Sequence, residues 1–135
     1  MTWRQSLVRI ADHEVETLRK RLADILDRRA ELEMKLTMLA AESEAEMAQT
    51  DRDASLGVYR AGYLQGVKIR RGVITQALEA NRFEESGARD ALAVAFEALK
   101  KFEHVAELAK LEEVKQAAKI ETAEMDEMGL RKRRA

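Results

Sequence analysis

The sequence predicts an all-α protein, a long antiparallel hairpin of two helices that pack against each other as a coiled coil. Three observations predict this fold. Apolar residues recur at alternating three- and four-residue intervals along two long segments, a cluster of turn-forming residues separates the segments, and the chain of 135 residues contains no Pro. An average apolar spacing of about 3.5 residues keeps these side chains on one face of a helix, which then needs a partner helix.

The composition excludes several classes of protein. Charged residues make up 36% of the chain and aromatic residues 4%, which is typical of a coiled coil rather than of a globular enzyme. Two helices bury a narrow strip and enclose no pocket, so we expect no enzyme, no cofactor and no metal. The chain has no Cys to form disulfides or thiolate metal sites, and no apolar stretch long enough for a membrane span. These features indicate a cytoplasmic protein.

The first helix is predicted over about residues 2–50. Thr2 and Gln5 have the spacing of a capping box, in which two side chains satisfy free backbone N–H groups at a helix start. We expect Trp3, the only Trp, to pack with its apolar neighbours against the far end of the chain; an exposed docking surface is the alternative. The apolar face, interrupted only by Arg29, consists of Val8, Ala11, Val15, Leu18, Leu22, Ile25, Leu32, Leu36 and Leu39.

Residues 51–72 contain the predicted turn and a Gly-rich tip. Its first part holds the turn and cap formers Asp51, Asp53, Ser55 and Gly57. We expect the chain to reverse over about 51–57, with Asp53 or Ser55 capping the returning helix. Four of the six Gly residues follow at positions 57, 62, 66 and 72, so the start of that helix should be strained, flexible or kinked.

The tip also carries an aromatic pair. Tyr59 and Tyr63 lie four residues apart, so they share one face of a helix with Leu64 close by. Two interpretations fit this pattern. The rings fill the apolar face next to the turn, or they form an exposed patch of the kind that is enriched in protein-binding hot spots.

The second helix is predicted over about residues 73–128, followed by a basic tail at 129–135. Gly129 is expected to end the helix, and the tail contributes Arg131, Lys132, Arg133 and Arg134. Four cations at this end interact favourably with the helix dipole. Because no aromatic residues are interleaved with them, they do not indicate a nucleic-acid partner. The apolar positions of the helix are Ile74, Leu78, Ala88, Leu92, Ala95, Leu99 and Phe102 and, after a register shift, Leu111, Val114, Ala118, Met125 and Met128.

The two helices have unequal lengths. About 50 residues span roughly 75 Å, whereas residues 58–128 span roughly 105 Å. Either the second helix extends several turns beyond the start of the first, or the Gly-rich segment folds back as a short helix of its own. The first solution needs only one sharp turn, and we favour it for that reason.

Three short stretches carry a resemblance to a known family. Trp3-Arg4 with Leu7 resembles an opening motif, aromatic-Arg-x-Leu. Tyr59-Arg60-Ala61-Gly62-Tyr63-Leu64 is similar to a Tyr-x-x-x-aromatic-Leu segment just past a turn. Residues 121–128 resemble a closing motif, Glu-Gln-x-x-hydrophobic-Asp-Glu, with Thr122 in place of the usual Gln. Together these motifs resemble the FliJ family of flagellar type III export proteins and the related stalk proteins of injectisome secretion.

The resemblance implies a non-enzymatic stalk protein of flagellum biogenesis and motility, cytoplasmic and associated with the inner-membrane export apparatus through its partners. It implies that Tyr59, Tyr63 and Leu64 bind the cytoplasmic domain of the export gate, and that export chaperones are further partners. It also implies that the end bearing both termini enters the ring of the export ATPase hexamer. The residues implied there are Trp3, Arg4, Leu7, Met125, Met128, Arg131, Lys132, Arg133 and Arg134. We expect such a stalk to be a monomer.

Two other functions fit the same fold. One is a prefoldin-like hairpin chaperone, which holds clients with exposed apolar residues at its helix ends and forms a higher oligomer. The other is a dimeric coiled-coil scaffold, in which two chains pair through Leu18 to Leu39 instead of folding back. The molecular mass in solution distinguishes a monomeric stalk, a hexameric chaperone and a scaffold dimer.

Overall fold

Two long helices joined by a short connection make up the computed structural model, which describes residues 2–134. Helix α1 runs over Trp3–Thr50, a single 3₁₀ turn covers Ala54–Leu56, and helix α2 runs over Gly57–Arg134. The predicted all-α hairpin is therefore confirmed. Within residues 2–134, neither helix contains a stretch long and apolar enough to cross a membrane.

The start of α1 is held by the predicted capping box. The backbone N–H of Thr2 donates to Oε1 of Gln5 at 3.1 Å, and the backbone N–H of Gln5 donates to Oγ1 of Thr2 at 3.3 Å. The two side chains thus satisfy two of the N–H groups that have no partner inside the helix. The helix consequently begins within the first few residues of the chain.

The turn is organised by Asp53. Its Oδ1 accepts hydrogen bonds from the hydroxyl of Ser55 at 2.7 Å and from the backbone N–H of Ser55 at 3.0 Å. Both bonds stabilise the carboxylate, and the pKa of Asp53 is lowered mainly by the hydroxyl of Ser55. The backbone of Asp53 is extended, as an N-cap residue requires. The predicted reversal is confirmed, and Asp53 caps the 3₁₀ turn that leads directly into α2.

The chain divides into two compact units, which are described separately. The turn unit is Thr17–Leu92, and the terminal unit combines Met1–Glu16 with Ala93–Ala135. In the turn unit, the second part of α1 packs against the first part of α2. The buried apolar residues of this unit are Ile25, Leu32, Leu39, Val67 and Ala88. Because α2 of the same chain covers these α1 residues, they are not available to pair two chains as in the scaffold alternative.

Two polar contacts fix the alignment of the helices in the turn unit. Nδ2 of Asn81 donates to the backbone oxygen of Ile25 at 3.0 Å, and Asn81 is only 5% exposed. Arg29, the residue that interrupts the apolar face, donates from Nη1 to Glu85 at 3.1 Å and from Nε to Glu33 at 3.1 Å. The hydrogen bond of the buried Asn81 and the ion pair between Arg29 and Glu85 can form together in only one register of the two helices. They therefore select the register that is observed.

The glycines of the tip do not interrupt α2. The helix passes through positions 57, 62, 66 and 72, and no Gly in residues 2–134 has a positive φ. A single Gly costs a helix only about 0.5 to 1 kcal/mol relative to Ala, which a long helix packed on a partner can tolerate. The alternative in which this segment folds back as a separate short helix is therefore excluded.

In the terminal unit, the start of α1 covers only part of α2. Ala11, Val15 and Leu99 are buried, whereas Phe102 is exposed. Every described residue from Leu111 to Arg134 is exposed, and we call residues 111–134 the uncovered segment. The apolar repeat predicted there exists, but α1 does not reach it.

The expectation that Gly129 ends the second helix is wrong. Helix α2 continues through Gly129 to Arg134, so residues 129–134 are helical rather than a separate tail. Arg131 donates from Nη2 to Oε1 of Glu127 at 3.1 Å, a bond that joins the turns on either side of Gly129. Four cations in the last turn also interact favourably with the helix dipole.

Candidate functional site

The first candidate surface is the tyrosine patch, formed by Tyr59, Tyr63 and Leu64 at the start of α2. The rings of Tyr59 and Tyr63 are stacked, with centroids 6.2 Å apart and planes inclined by 24°. Tyr59 is 51% exposed, Leu64 is exposed, and Tyr63 is half-buried. Of the two interpretations, the structure therefore shows the exposed patch, with Tyr63 forming its inner edge.

Contacts with α1 and with the turn hold this part of α2 in place. The hydroxyl of Tyr59 donates to Oε1 of Glu46 on α1 at 2.9 Å, and the neighbouring Arg60 forms an ion pair with Asp51. The hydrogen bond and charge of Glu46 stabilise the protonated hydroxyl and raise the pKa of Tyr59. A ring that is already oriented loses less conformational entropy when a partner binds it. The patch is thus suited to binding a protein surface.

Sequence reasoning did not identify Glu46 as part of this patch. Arg52 lies in the turn, and Glu46 and Tyr59 are nearly the same number of residues before and after it in the sequence. In an antiparallel hairpin, residues at equal distances from the turn face each other, so this symmetry was the available signal. It could be used only once the centre of the turn was known to within one or two residues.

The second candidate surface lies at the start of α1 and contains Trp3, Arg4 and Leu7. Trp3 is 62% exposed, and the guanidinium carbon of Arg4 lies 4.8 Å from the centre of the Trp3 ring. The expectation that Trp3 packs against the far end of the chain is therefore wrong. The α2 residues that share a groove with Thr2, Arg4 and Gln5 are small or charged: Ala106, Glu107, Ala109, Lys110 and Glu113.

The third candidate surface lies on the uncovered segment. Met125 and Met128 are exposed, and the last turn carries the basic cluster of Arg131, Lys132, Arg133 and Arg134. Met125 lies twelve residues beyond Glu113, or roughly 18 Å along a helix. The structure therefore does not bring the methionines and the basic cluster next to Trp3, and the terminal unit presents two separate surfaces.

These surfaces offer aromatic, apolar and ionic contacts. In the part of the chain that the structure describes, no three His, Asp or Glu side chains form a group that could hold a metal ion. The arrangement is suited to binding other proteins along exposed helix faces.

Comparison with known proteins gives one clear relationship. The chain is 51% identical over 130 residues to the flagellar FliJ protein of Caulobacter vibrioides, in strain NA1000 / CB15N and equally in strain ATCC 19089 / CIP 103742 / CB 15. The alignment covers 96% of this chain and 94% of the relative. No protein-family model matches the chain, and no solved structure matches it.

Proposed function

Because the chain belongs to the FliJ family of flagellar proteins, we propose that it is a non-enzymatic component of the flagellar type III export apparatus. It acts as a stalk that couples the export ATPase ring to the export gate. The observation that carries the proposal is the 51% identity over nearly the whole length of both proteins. The flagellar relatives also favour the flagellar system over the injectisome.

The tyrosine patch is the proposed contact with the cytoplasmic domain of the export gate. It combines two stacked rings, an exposed Leu64 and a fixed orientation, which are features of binding hot spots. Tyr59 is held by the hydrogen bond from its hydroxyl to Glu46, and this bond leaves the face of the ring free. A partner can therefore cover the ring without first breaking the helix packing.

The terminal unit is the proposed contact with the ring of the export ATPase. Trp3, Arg4 and Leu7 supply one surface, and Met125, Met128 and the basic cluster supply another. Exposed methionines adapt to irregular apolar surfaces, and a row of cations suits an acidic ring interior. The uncovered segment also offers apolar residues to export chaperones, which we propose as further partners.

The gate contact is tested with the double variant Tyr59→Ala and Tyr63→Ala. Its affinity for the purified cytoplasmic domain of the gate should fall by about tenfold or more, because two hot-spot rings are lost. The melting temperature should change little, because the patch is mostly exposed. Tyr59→Phe is the matched control, since it keeps the ring and loses the bond to Glu46. A fall in melting temperature of many degrees would instead show that the tyrosines are core residues.

The ATPase contact is tested by deleting residues 131–135. Binding to the purified ATPase ring should weaken, whereas helicity measured by circular dichroism should hardly change. Replacing the four cations by Gln keeps the helix length and removes only the charge, so it should reproduce the deletion. If the ring binds both variants as tightly as the native chain, the basic cluster has no part in the contact.

The function itself is tested in the cell by removing the gene and measuring motility and export of flagellar substrates. Loss of both, restored by the native gene, is the expected result. Normal export without the protein would contradict the proposal as a whole, whichever residues bind the partners.

A further inference from the structure

Helix α2 has a second apolar face within the turn unit, separate from the face that packs on α1. We call it the outer face and define it by residues that recur at three- and four-residue intervals. Phe83 on this face is 73% exposed, and Ile69 and Val73 are also largely exposed. Large apolar side chains in such a row are unusual on a surface that water alone covers. The outer face comprises Gly66, Ile69, Val73, Gln76, Ala80, Phe83 and Gly87.

The glycines on the outer face are not required by crowding within the chain. Gly66 and Gly87 have ordinary helical backbones, and a Cβ added at either position would meet no atom within 4 Å. Each lowers helix stability relative to Ala without relieving any crowding in the fold. Glycine is useful in a helix where another backbone or a large side chain must approach closely. The same open space surrounds the other four glycines, so on the outer face these two positions leave room for a close neighbour.

The charges beside the outer face differ between its two halves. Lys68 and Arg70 flank the first half, whereas Glu79 and Glu84 flank the second half. All four side chains belong to exposed residues. A second helix with the same sequence, running in the opposite direction, would place its acidic half beside the basic half of the first. A parallel copy would place like charges together.

We propose that two copies of this chain pair in antiparallel orientation through the outer face, around a two-fold axis between Ile74 and Thr75. Counting outward from that point, Phe83 of one copy lies opposite Gly66 of the other, and Ile69 lies opposite Ala80. Phe83 and Ile69 thus each meet a small residue, as close helix packing requires, and Val73 lies opposite Gln76. A two-fold axis repeats every contact, so each favourable pair occurs twice.

The flanking charges fit the same register. Along one edge of the paired faces, Arg70 of one copy lies near Glu84 of the other. Along the opposite edge, Lys68 of one copy lies near Glu79 of the other. The pairing uses other residues than the tyrosine patch, the basic cluster and the apolar face of Leu18 to Leu39. It goes beyond the proposed function and replaces the expectation of a monomer with a reversible dimer.

The test is sedimentation equilibrium of the full chain between about 1 and about 100 µM, a range that suits a weak to moderate dimer. The mass should rise from one chain to two with concentration. Arg70→Glu and Glu84→Arg should each raise the dissociation constant by about tenfold or more, because each places like charges together twice. An equal mixture of the two variants should dimerise again, because every cross-copy pair then has opposite charges.

Two further variants make the outcome specific. Arg71→Glu changes the adjacent cation, which is not on the outer face, and should leave the dissociation constant unchanged. Gly66→Gln should raise the melting temperature of the monomer and abolish the dimer, since the added side chain takes the place of Phe83 from the other copy. A mass of one chain at every concentration, equal effects of Arg70→Glu and Arg71→Glu, or no recovery on mixing would each overturn the proposal.

Discussion

Asp53 caps the 3₁₀ turn that leads into α2, because a carboxylate at this position can accept both donors of Ser55. An Ala at position 53 would leave the N–H of Ser55 without a partner in the chain. The bonds are strongest when the carboxylate is charged, so their contribution to stability depends on pH. A group with a lowered pKa stabilises the fold above its unfolded pKa and ceases to do so as the pH falls through its folded value.

Asp53→Ala should therefore melt at a lower temperature than the native chain at pH 7. The difference should shrink as the pH falls below 3.8, the ordinary pKa of the side chain, through the lowered value in the fold. Thermal melts followed by circular dichroism at several pH values measure it. Asp53→Asn is the control, because Asn caps helices well and does not titrate. A difference that is constant down to pH 2 would contradict this role of the charge.

Asn81 carries the one buried side-chain atom in the described chain that lacks a hydrogen-bond partner. Its Nδ2 bonds to Ile25, but its Oδ1 accepts no bond. A buried acceptor without a donor costs about 1 to 3 kcal/mol. Asn81 thus helps to align the two helices, but it lowers the free energy of unfolding.

Asn81→Leu should raise the free energy of unfolding by about 1 kcal/mol, because an apolar side chain of similar size removes the unsatisfied oxygen. Urea denaturation of the two proteins at equal concentration measures the change. Asn81→Ala, which also leaves a cavity, should instead destabilise the fold. If the Leu variant unfolds more readily than the native chain, the bond to Ile25 outweighs the unsatisfied oxygen.

At the scale of the helix, α2 changes from a packed helix to an isolated one. Residues 73–99 have a partner on one face, whereas the uncovered segment has none. Isolated helices are only marginally stable in water, and exposed ion pairs such as Arg131 with Glu127 add only a little local stability to this part.

Amide hydrogens of the uncovered segment should therefore exchange with solvent at least about tenfold faster than those near Leu32 and Asn81. Hydrogen exchange measured by mass spectrometry gives the comparison within one sample. Adding Gly129→Ala should slow exchange in the last turns, because Ala favours the helix and no backbone strain requires Gly there. Uniform protection along α2 would show that the segment has a partner in solution.

Apolar periodicity predicted both helices and most buried positions, and local residue types predicted the capping box and the turn, since all of these depend on neighbouring residues. The periodicity did not distinguish the covered repeat at Ile74 to Leu99 from the uncovered one at Leu111 to Met128, because both have the same spacing. Which part is covered depends on where α1 begins. The contacts of Arg29 with Glu85 and of Tyr59 with Glu46 likewise required the register, which one residue more in the turn would change.

At the scale of the whole molecule, the apolar cores end well before the chain does. Among residues 2–134, the last buried one is Leu99, and the residues that line a groove with the start of α1 end at Glu113. The part of α2 beyond Glu113 contributes helix but little tertiary packing. Its apolar residues are available for binding rather than for folding.

A chain that ends at residue 113 should therefore melt within a few degrees of the full chain, while losing helical signal in proportion to the residues removed. Circular dichroism measures both quantities in one experiment. A chain that ends at residue 95 is the control, because it lacks Leu99 and should melt at a clearly lower temperature. If both truncations melt alike, Leu99 does not belong to a core that holds the terminal unit together.

The position of Trp3 has a practical consequence. It is the only indole of the chain, and it is largely in contact with water with a guanidinium above its ring. Its fluorescence should have a long emission wavelength in the free protein and shift to shorter wavelengths when another surface covers the start of α1. The protein thus contains its own spectroscopic reporter for association at that site, and titrations need no added dye.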